Sequence, residues 1–281
     1  MAGVGGIVLA GGRSSRMGTS KAALEWHGST LLRQVCGLVE RSVEGPVVVV
    51  RAPGQALPEL PSSIEVVEDA REGRGPLQGL AAGLAALSER ATAAYVSSTD
   101  VPLLHPAFVK RVVGALAGEV DVALPQAGGF PHPLSAAYRT SLLAIVERLV
   151  AADRLRPAFL FEECRVTRLD EPALLADPAI AAFDPALDSV LNLNEPGDYA
   201  AARARPAPEV TVQLFGPLRR HGERLPVAIR AATLAGAASA AGVTLDEHVV
   251  AALNGDQITR DPELPLVTGD TIAFLAADAG G

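Results

Sequence analysis

The chain has 281 residues and a mass of 28.9 kDa, which corresponds to about two domains at roughly 150 residues each. Apolar residues make up 49% and charged residues 20%, a balance that excludes intrinsic disorder and supports a core needing no disulfide or metal staple. The net charge of −8, from 24 basic and 32 acidic residues, argues against duplex DNA as a partner, and 4% aromatics argues against single strands. A nucleotide remains open, because it needs only one local site. Lysine occurs only as Lys21 and Lys110, so each lysine stands out. Cys36 and Cys164 are far apart, with no C-x-x-C, so they read as small buried residues rather than as a zinc or redox pair. No apolar run reaches the roughly 18 residues of a membrane span, and no basic segment precedes an apolar stretch at the N-terminus. The expectation is a cytoplasmic protein without membrane or nucleic-acid partners.

In chain order, Ile7–Ala10 reads as a buried strand ending in Gly11-Gly12. Ser29 or Thr30 can cap a helix with Leu31, Leu32, Val35, Leu38 and Val39 on one face. Val47 to Val50 is four consecutive valines, the pattern of a strand buried on both sides. Ile64–Val67 is a further strand, and Leu77, Leu80, Leu84 and Leu87 mark a helix. Tyr95 and Val96 form a strand ending at Asp100, followed by a helix carrying Phe108, Val112, Val113 and Leu116, and by a strand over 120–124. Strands alternating with helices predict an α/β domain with a mostly parallel sheet, which binds ligands at the carboxyl ends of its strands. The segment 9–21, Asp69 and Asp100 all fall just past predicted strand ends. Residues 203–208 carry two prolines and no apolar period, and read as a linker. Beyond it, Val210, Val212 and Leu214 alternate, as do Leu225, Val227 and Ile229, with Gly222 between them. A small-residue helix near 233–241 and strands at 249–253 and 271–275 complete a small α+β domain.

The segment 9–21 is Leu-Ala-Gly-Gly-Arg-Ser-Ser-Arg-Met-Gly-Thr-Ser-Lys. Its glycines let the backbone approach a phosphate and turn N–H groups toward it. Arg13, Arg16 and Lys21 concentrate three cations in an acidic chain, although a solvated loop would have the same composition. A Walker A loop is excluded, because Gly18 is followed by Thr19-Ser20-Lys21. A dinucleotide fingerprint is excluded too, because Gly3 and Gly5 precede the strand.

This segment resembles the signature of molybdenum cofactor guanylyltransferases. Further segments resemble that family in order: Val67-Glu68-Asp69 with Gly75-Pro76-Leu77, Thr99-Asp100-Val101-Pro102, His132-Pro133-Leu134, and Asn192-Leu193-Asn194-Glu195-Pro196. The resemblance implies a Rossmann-like nucleotidyltransferase domain over residues 1–202. It implies transfer of GMP from GTP to the phosphate of molybdopterin, with release of pyrophosphate and with Mg²⁺ as cofactor. Leu9, Ala10, Gly11, Gly12, Ser14, Met17, Gly18, Asp69 and Gly75 would surround the nucleotide. Arg16 and Lys21 would neutralise its phosphates, and Asp100 would hold the metal. His132, Asn192 and Asn194 would lie near the pterin. Each has a plainer reading: Asp100 as a cap for the helix near Pro106, Asp69 as a loop acid, the asparagines as caps near Pro196, His132 as a positioned loop residue. Leu-Ala-Gly-Gly resembles the GTP users, whereas CTP users tend toward Leu-Ala-Ala-Gly. The family often has Asn after the strand matching 47–50, where this chain has Arg51-Ala52-Pro53.

Residues 209–281 resemble the small subunit of molybdopterin synthase, a ubiquitin-like sulfur carrier of the β-grasp fold. The likeness rests on Gln213 to Arg219, Leu253-Asn254-Gly255, Thr268 to Phe274, and Gly280-Gly281 at the end. It implies a thiocarboxylate on Gly281. It also implies two protein partners, an adenylating and sulfurating activating enzyme and the large subunit of molybdopterin synthase. A cytidylyltransferase on the same pterin, and a carrier with a non-catalytic N-terminal scaffold, are the alternatives.

Overall fold

The computed structural model describes residues 3–11, 20–70, 73–219 and 226–276. The chain forms two compact units, one of Met1–Glu25 with Thr30–Tyr199, the other of Trp26–Ser29 with Ala200–Gly281.

The first unit is built on an eight-stranded sheet: β1 (Val4–Leu9), β2 (Val47–Arg51), β3 (Ile64–Glu68), β4 (Ala93–Ser98), β5 (Val122–Ala127), β6 (Phe130–Pro131), β7 (Ser135–Arg139) and β8 (Val166–Leu169). Their order is β8-β5-β7-β4-β1-β2-β3, with β6 paired to β5. All main strands are parallel except β7, which runs antiparallel between β4 and β5. The parallel core follows from composition. Val47 to Val50 are each 2% exposed or less, because helices cover both faces of β2. The strand expected at 120–124 starts two residues later and continues to Ala127: its parallel pairing with β8 covers 122–125, and its antiparallel pairing with β6 adds Gln126 and Ala127.

The helices are α1 (Leu31–Glu40), α2 (Pro76–Leu87), α3 (Pro106–Gly114), α4 (Leu143–Ala151) and the shorter α5 (Pro157–Phe161), α6 (Glu171–Leu175), α7 (Pro178–Phe183) and α8 (Pro196–Arg203). Thr30 caps α1, its Oγ1 accepting from the Arg33 N–H at 3.3 Å, and the predicted apolar face of α1 is buried. His105 caps α3, its Nδ1 accepting from the Ala107 N–H at 3.1 Å. That removes the capping reading of Asp100. Gly75 precedes α2 with φ +86°, a conformation glycine adopts without strain, and Pro76 opens the helix.

α2 lies close on β1, since a Cβ on Gly83 would stand 2.6 Å from Ile7 Cγ2. Gly83→Val is therefore expected to destabilise the protein by about 2–3 kcal/mol through overpacking. Gly114→Ala, at a position open to 4 Å at the end of α3, is expected to be neutral or stabilising. Thermal unfolding of the two variants checks both signs.

Cys36 is buried and Cys164 half-buried. Burial pushes both thiols up, Cys164 to about 11, with Asp121 and Glu163 adding to the effect. At pH 8 both should remain thiols, so Ellman's reagent should react with native protein far more slowly than with unfolded protein.

The second unit has five strands, β9 (Glu209–Leu214), β10 (Val227–Arg230), β11 (Val249–Leu253), β12 (Gln257–Thr259) and β13 (Thr271–Ala276), with one helix, α9 (Leu234–Ala240). The order is β10-β9-β13-β11-β12, and β9 and β13 are a parallel pair at its centre. Val210, Val212 and Leu214 alternate inward and meet Leu234 and Ala237 of α9 and Phe274 of β13. The strand expected from Leu225 is described from Val227, because Leu225 lies outside the described residues. Asn254 (φ +52°) and Gly255 (φ +90°) make the tight turn between β11 and β12. Asn254 Oδ1 accepts from the Thr271 N–H at 2.9 Å, while its Nδ2 donates to Asp270 Oδ1 at 2.9 Å.

Candidate active site

β1, β2, β3 and β4 are parallel neighbours, so their carboxyl ends share one edge of the sheet. The residues just past those ends surround a cavity of about 470 Å³, closed on another side by the first turn of α2. Leu9, Ala10 and Gly11 line it from β1, Arg51 and Ala52 from β2, Asp69 from β3, Thr99 and Asp100 from β4, and Gly75 and Gly79 from α2. A Cβ on Gly79 would lie 3.2 Å from Leu9 Cδ2, so the helix start sits tightly over the end of β1.

Asp100 is held in the cavity through both of its carboxylate oxygens. Lys21 Nζ donates to its Oδ2 at 3.0 Å, and Ser98 Oγ donates to its Oδ1 at 2.6 Å. The two ion-pair side chains are 21% and 19% exposed, so both charges remain reachable from the cavity. Thr99 Oγ1 donates to Leu9 O at 3.1 Å and ties the end of β4 to the end of β1. The Asp100 carbonyl accepts from the Leu193 N–H at 2.8 Å. This bond brings Asn192-Leu193-Asn194 to the catalytic edge across more than ninety residues of sequence.

The sequence-predicted residues thus sort by place. Leu9, Ala10, Gly11, Lys21, Asp69, Gly75 and Asp100 come together in one cavity. Gly12, Ser14, Arg16, Met17, Gly18, Gly280 and Gly281 lie outside the described residues. The Asp198 carboxylate reaches back over the start of α8 and accepts from the N–H groups of Asn194 and Glu195 at 3.0 and 2.9 Å, the acidic half of a capping box. Asn192 and Asn194 are exposed. His132 is not among the residues lining the cavity. Its N–H donates to Pro125 O at 2.9 Å and its Nε2 meets Ala127 O at 3.1 Å, so it braces the hairpin it stands on. Leu134, two residues on, does line the cavity.

Two participants were not legible in the sequence. Arg74 lines the cavity between two positive-φ glycines, Gly73 and Gly75, with its guanidinium on Val150 O and the Asp153 carboxylate. The Gly-Arg-Gly spacing was the signal available for it. Gln55 bridges the two chain segments that leave β1 and β2, and no local pattern marks it. Among the described residues no group of three or more His, Cys, Asp or Glu side chains could hold a metal, and no helix is long and apolar enough to cross a membrane.

The model of the MobA-like NTP transferase domain matches residues 6–166, more than half of the chain and the whole of this cavity. The chain belongs to the MobA-like NTP transferase family. It is a nucleotidyltransferase. Among curated relatives of this nucleotidyltransferase, a probable molybdenum cofactor guanylyltransferase of Mycobacterium ulcerans is 38% identical over 187 residues, 64% of this chain and 91% of that protein. One of Mycobacterium avium is 41% identical over 150 residues, 52% of this chain and 74% of that protein. The solved structure of molybdopterin-guanine dinucleotide biosynthesis protein A from Archaeoglobus fulgidus has a similar fold, with a TM-score of 0.56 at 23% identity, covering 71% of this chain and 97% of that one.

Proposed function

We propose that the first unit transfers GMP from GTP to the phosphate of molybdopterin and releases pyrophosphate. The observation that carries this reading is the Lys21–Asp100 pair at the mouth of a cavity walled by Leu9, Ala10 and Gly11. The relatives named as molybdenum cofactor guanylyltransferases support the substrate. Phosphoryl-type transfer needs positioning and charge neutralisation more than covalent catalysis, and this site offers both. Lys21 can exchange its carboxylate partner for a phosphate oxygen. Gly11 lines the same wall, and the family resemblance implies that Arg16 would neutralise phosphate charge as well. The donor set suits Mg²⁺, a hard ion often held by one carboxylate and the substrate's own phosphates. Asp100 would hold it, and the ion would offset charge on the transferring group. Ser98 and Lys21 orient the Asp100 oxygens for that task.

The second unit is read as a ubiquitin-like sulfur carrier. Its sheet order, with the first and last strands parallel at the centre and one helix packed on the core, supports a β-grasp assignment. Gly281 would carry the thiocarboxylate, loaded by an activating enzyme and delivered to the large subunit of molybdopterin synthase. Glycine at 280 and 281 suits a narrow channel that a side chain would obstruct.

The test is to incubate the purified chain with Mg²⁺ and molybdate-loaded molybdopterin, with GTP and CTP in parallel, and to identify products by mass spectrometry. A guanine dinucleotide is expected. A cytosine dinucleotide would overturn the base assignment but keep the mechanism, and no product from either would favour the scaffold alternative.

A further inference from the structure

The cavity wall formed by Ala10 and Gly11 is held from behind by a chain of contacts that begins at the surface. Glu68 Oε1 accepts from Arg51 Nη2 at 2.8 Å and from the Gly54 N–H at 3.4 Å. Arg51 Nη1 donates to Gln55 O at 3.1 Å, and the Gln55 N–H donates to Ala52 O at 3.0 Å. These contacts fix the Gln55 backbone in the turn after β2. Its side-chain amide then uses both ends. Oε1 accepts from the Ala52 N–H at 3.0 Å, and Nε2 donates to Ala10 O at 2.9 Å. Only one orientation of the amide satisfies an N–H and a C=O in those places. The Ala10 N–H is meanwhile given to Val50 O at 2.8 Å. Gln55 is not itself among the cavity-lining residues, whereas Ala10 and Gly11 are.

A peptide group is planar and trans, so its N–H points opposite to its C=O. The Ala10 carbonyl and the Gly11 N–H belong to one such group. By holding the carbonyl, Gln55 sets the direction of the Gly11 N–H, away from itself. Glycine at position 11 offers little resistance to a flip of that peptide, so an outside contact has to choose its orientation. We propose that Gln55 is a positioning residue for the nucleotide, locking the Ala10–Gly11 peptide with its donor rather than its acceptor toward the bound ligand. The inference rests on the nucleotide-site reading above. A nucleotide presents acceptor oxygens on its phosphates and its base, and a flipped peptide would set a carbonyl against them.

The experiment compares the full-length protein with Gln55→Leu and Gln55→Glu, by KM and kcat with GTP and CTP, by direct GTP binding, and by Tm. Gln55→Leu is expected to raise KM for GTP about tenfold, the worth of one neutral hydrogen bond, with kcat within about threefold and Tm little changed. Gln55→Glu keeps the shape but replaces the donor to Ala10 O by a carboxylate. That group repels the carbonyl and attracts the Gly11 N–H, so at pH 8 its KM should rise further than that of Gln55→Leu. Its KM should fall back as pH drops toward 5, because the protonated carboxyl can again donate to Ala10 O. Equal losses with GTP and CTP would place the acceptor on the ribose-triphosphate, and a loss confined to GTP would place it on the base; either supports the inference. KM within twofold of wild type in both variants would overturn it, as would losses that track Tm with no pH dependence in Gln55→Glu. If the wild type itself binds neither nucleotide, the nucleotide-site reading fails and the inference falls with it.

Discussion

Asp100→Ala should lower kcat of nucleotidyl transfer by at least about 100-fold, or 2.7 kcal/mol of barrier, with little loss of stability. The side chain has no capping task, since His105 closes the start of α3. Its two oxygens are occupied by Lys21 Nζ and Ser98 Oγ, both on the cavity side of the sheet. Removing it takes one partner from Lys21, whose side chain is 21% exposed and open to solvent, so the cost to folding is small. Asp100→Asn separates charge from shape. The amide keeps an acceptor for Ser98 and the side-chain volume, but it no longer offers an ionised ligand to a divalent cation. Its activity should therefore fall nearly as far as that of the alanine variant. Single-turnover rates at saturating Mg²⁺ and GTP, beside melting curves, measure both. Near-full turnover in either variant would remove Asp100 from the chemistry.

Deletion of Gly281 should abolish sulfur transfer and leave nucleotidyl transfer intact. The carrier reading requires Gly281 to hold the free carboxylate. Shortening the tail withdraws that group by roughly 3.5 Å, more than the tolerance of a near-attack geometry. Phe274 is the last core residue of the second unit among the described residues, so the deletion is expected to leave that core intact. Thiocarboxylate formation, read by intact mass after incubation with an activating enzyme, gives the first result, and the dinucleotide assay gives the second. Loss of both activities would show that the two units depend on one another.

Much of the first unit was legible because its signals are local. Four valines in a row announce a strand covered on both faces, and apolar residues at helical spacing after Thr30 announce α1. Asp69 and Asp100 could be placed at the binding edge because each ends a readable strand. β7 was not legible. Ser135-Ala136-Ala137-Tyr138-Arg139 lacks the β-branched run of its neighbours, and only pairing on both sides makes it a strand. The same limit applies within the site. The spacing of Lys21 from Asp100 says nothing about their 3.0 Å contact, and Gln55 reaches Ala10 only because β1 and β2 lie side by side. Pairings set by the sheet, rather than by neighbours in the chain, were what the sequence withheld.

The position of β13 carries a kinetic consequence. It is the last strand of its sheet to leave the ribosome, yet it lies between β9 and β11. β9 must therefore wait through some sixty residues of synthesis for its parallel partner, and closing that long loop makes for slow folding. Until β13 docks, β9 and β11 each present an unpaired edge to other nascent chains. Overproduction should therefore be limited by aggregation of the late-folding second unit, and weaker induction, which lowers the number of chains exposing those edges at once, should raise the yield of the whole protein.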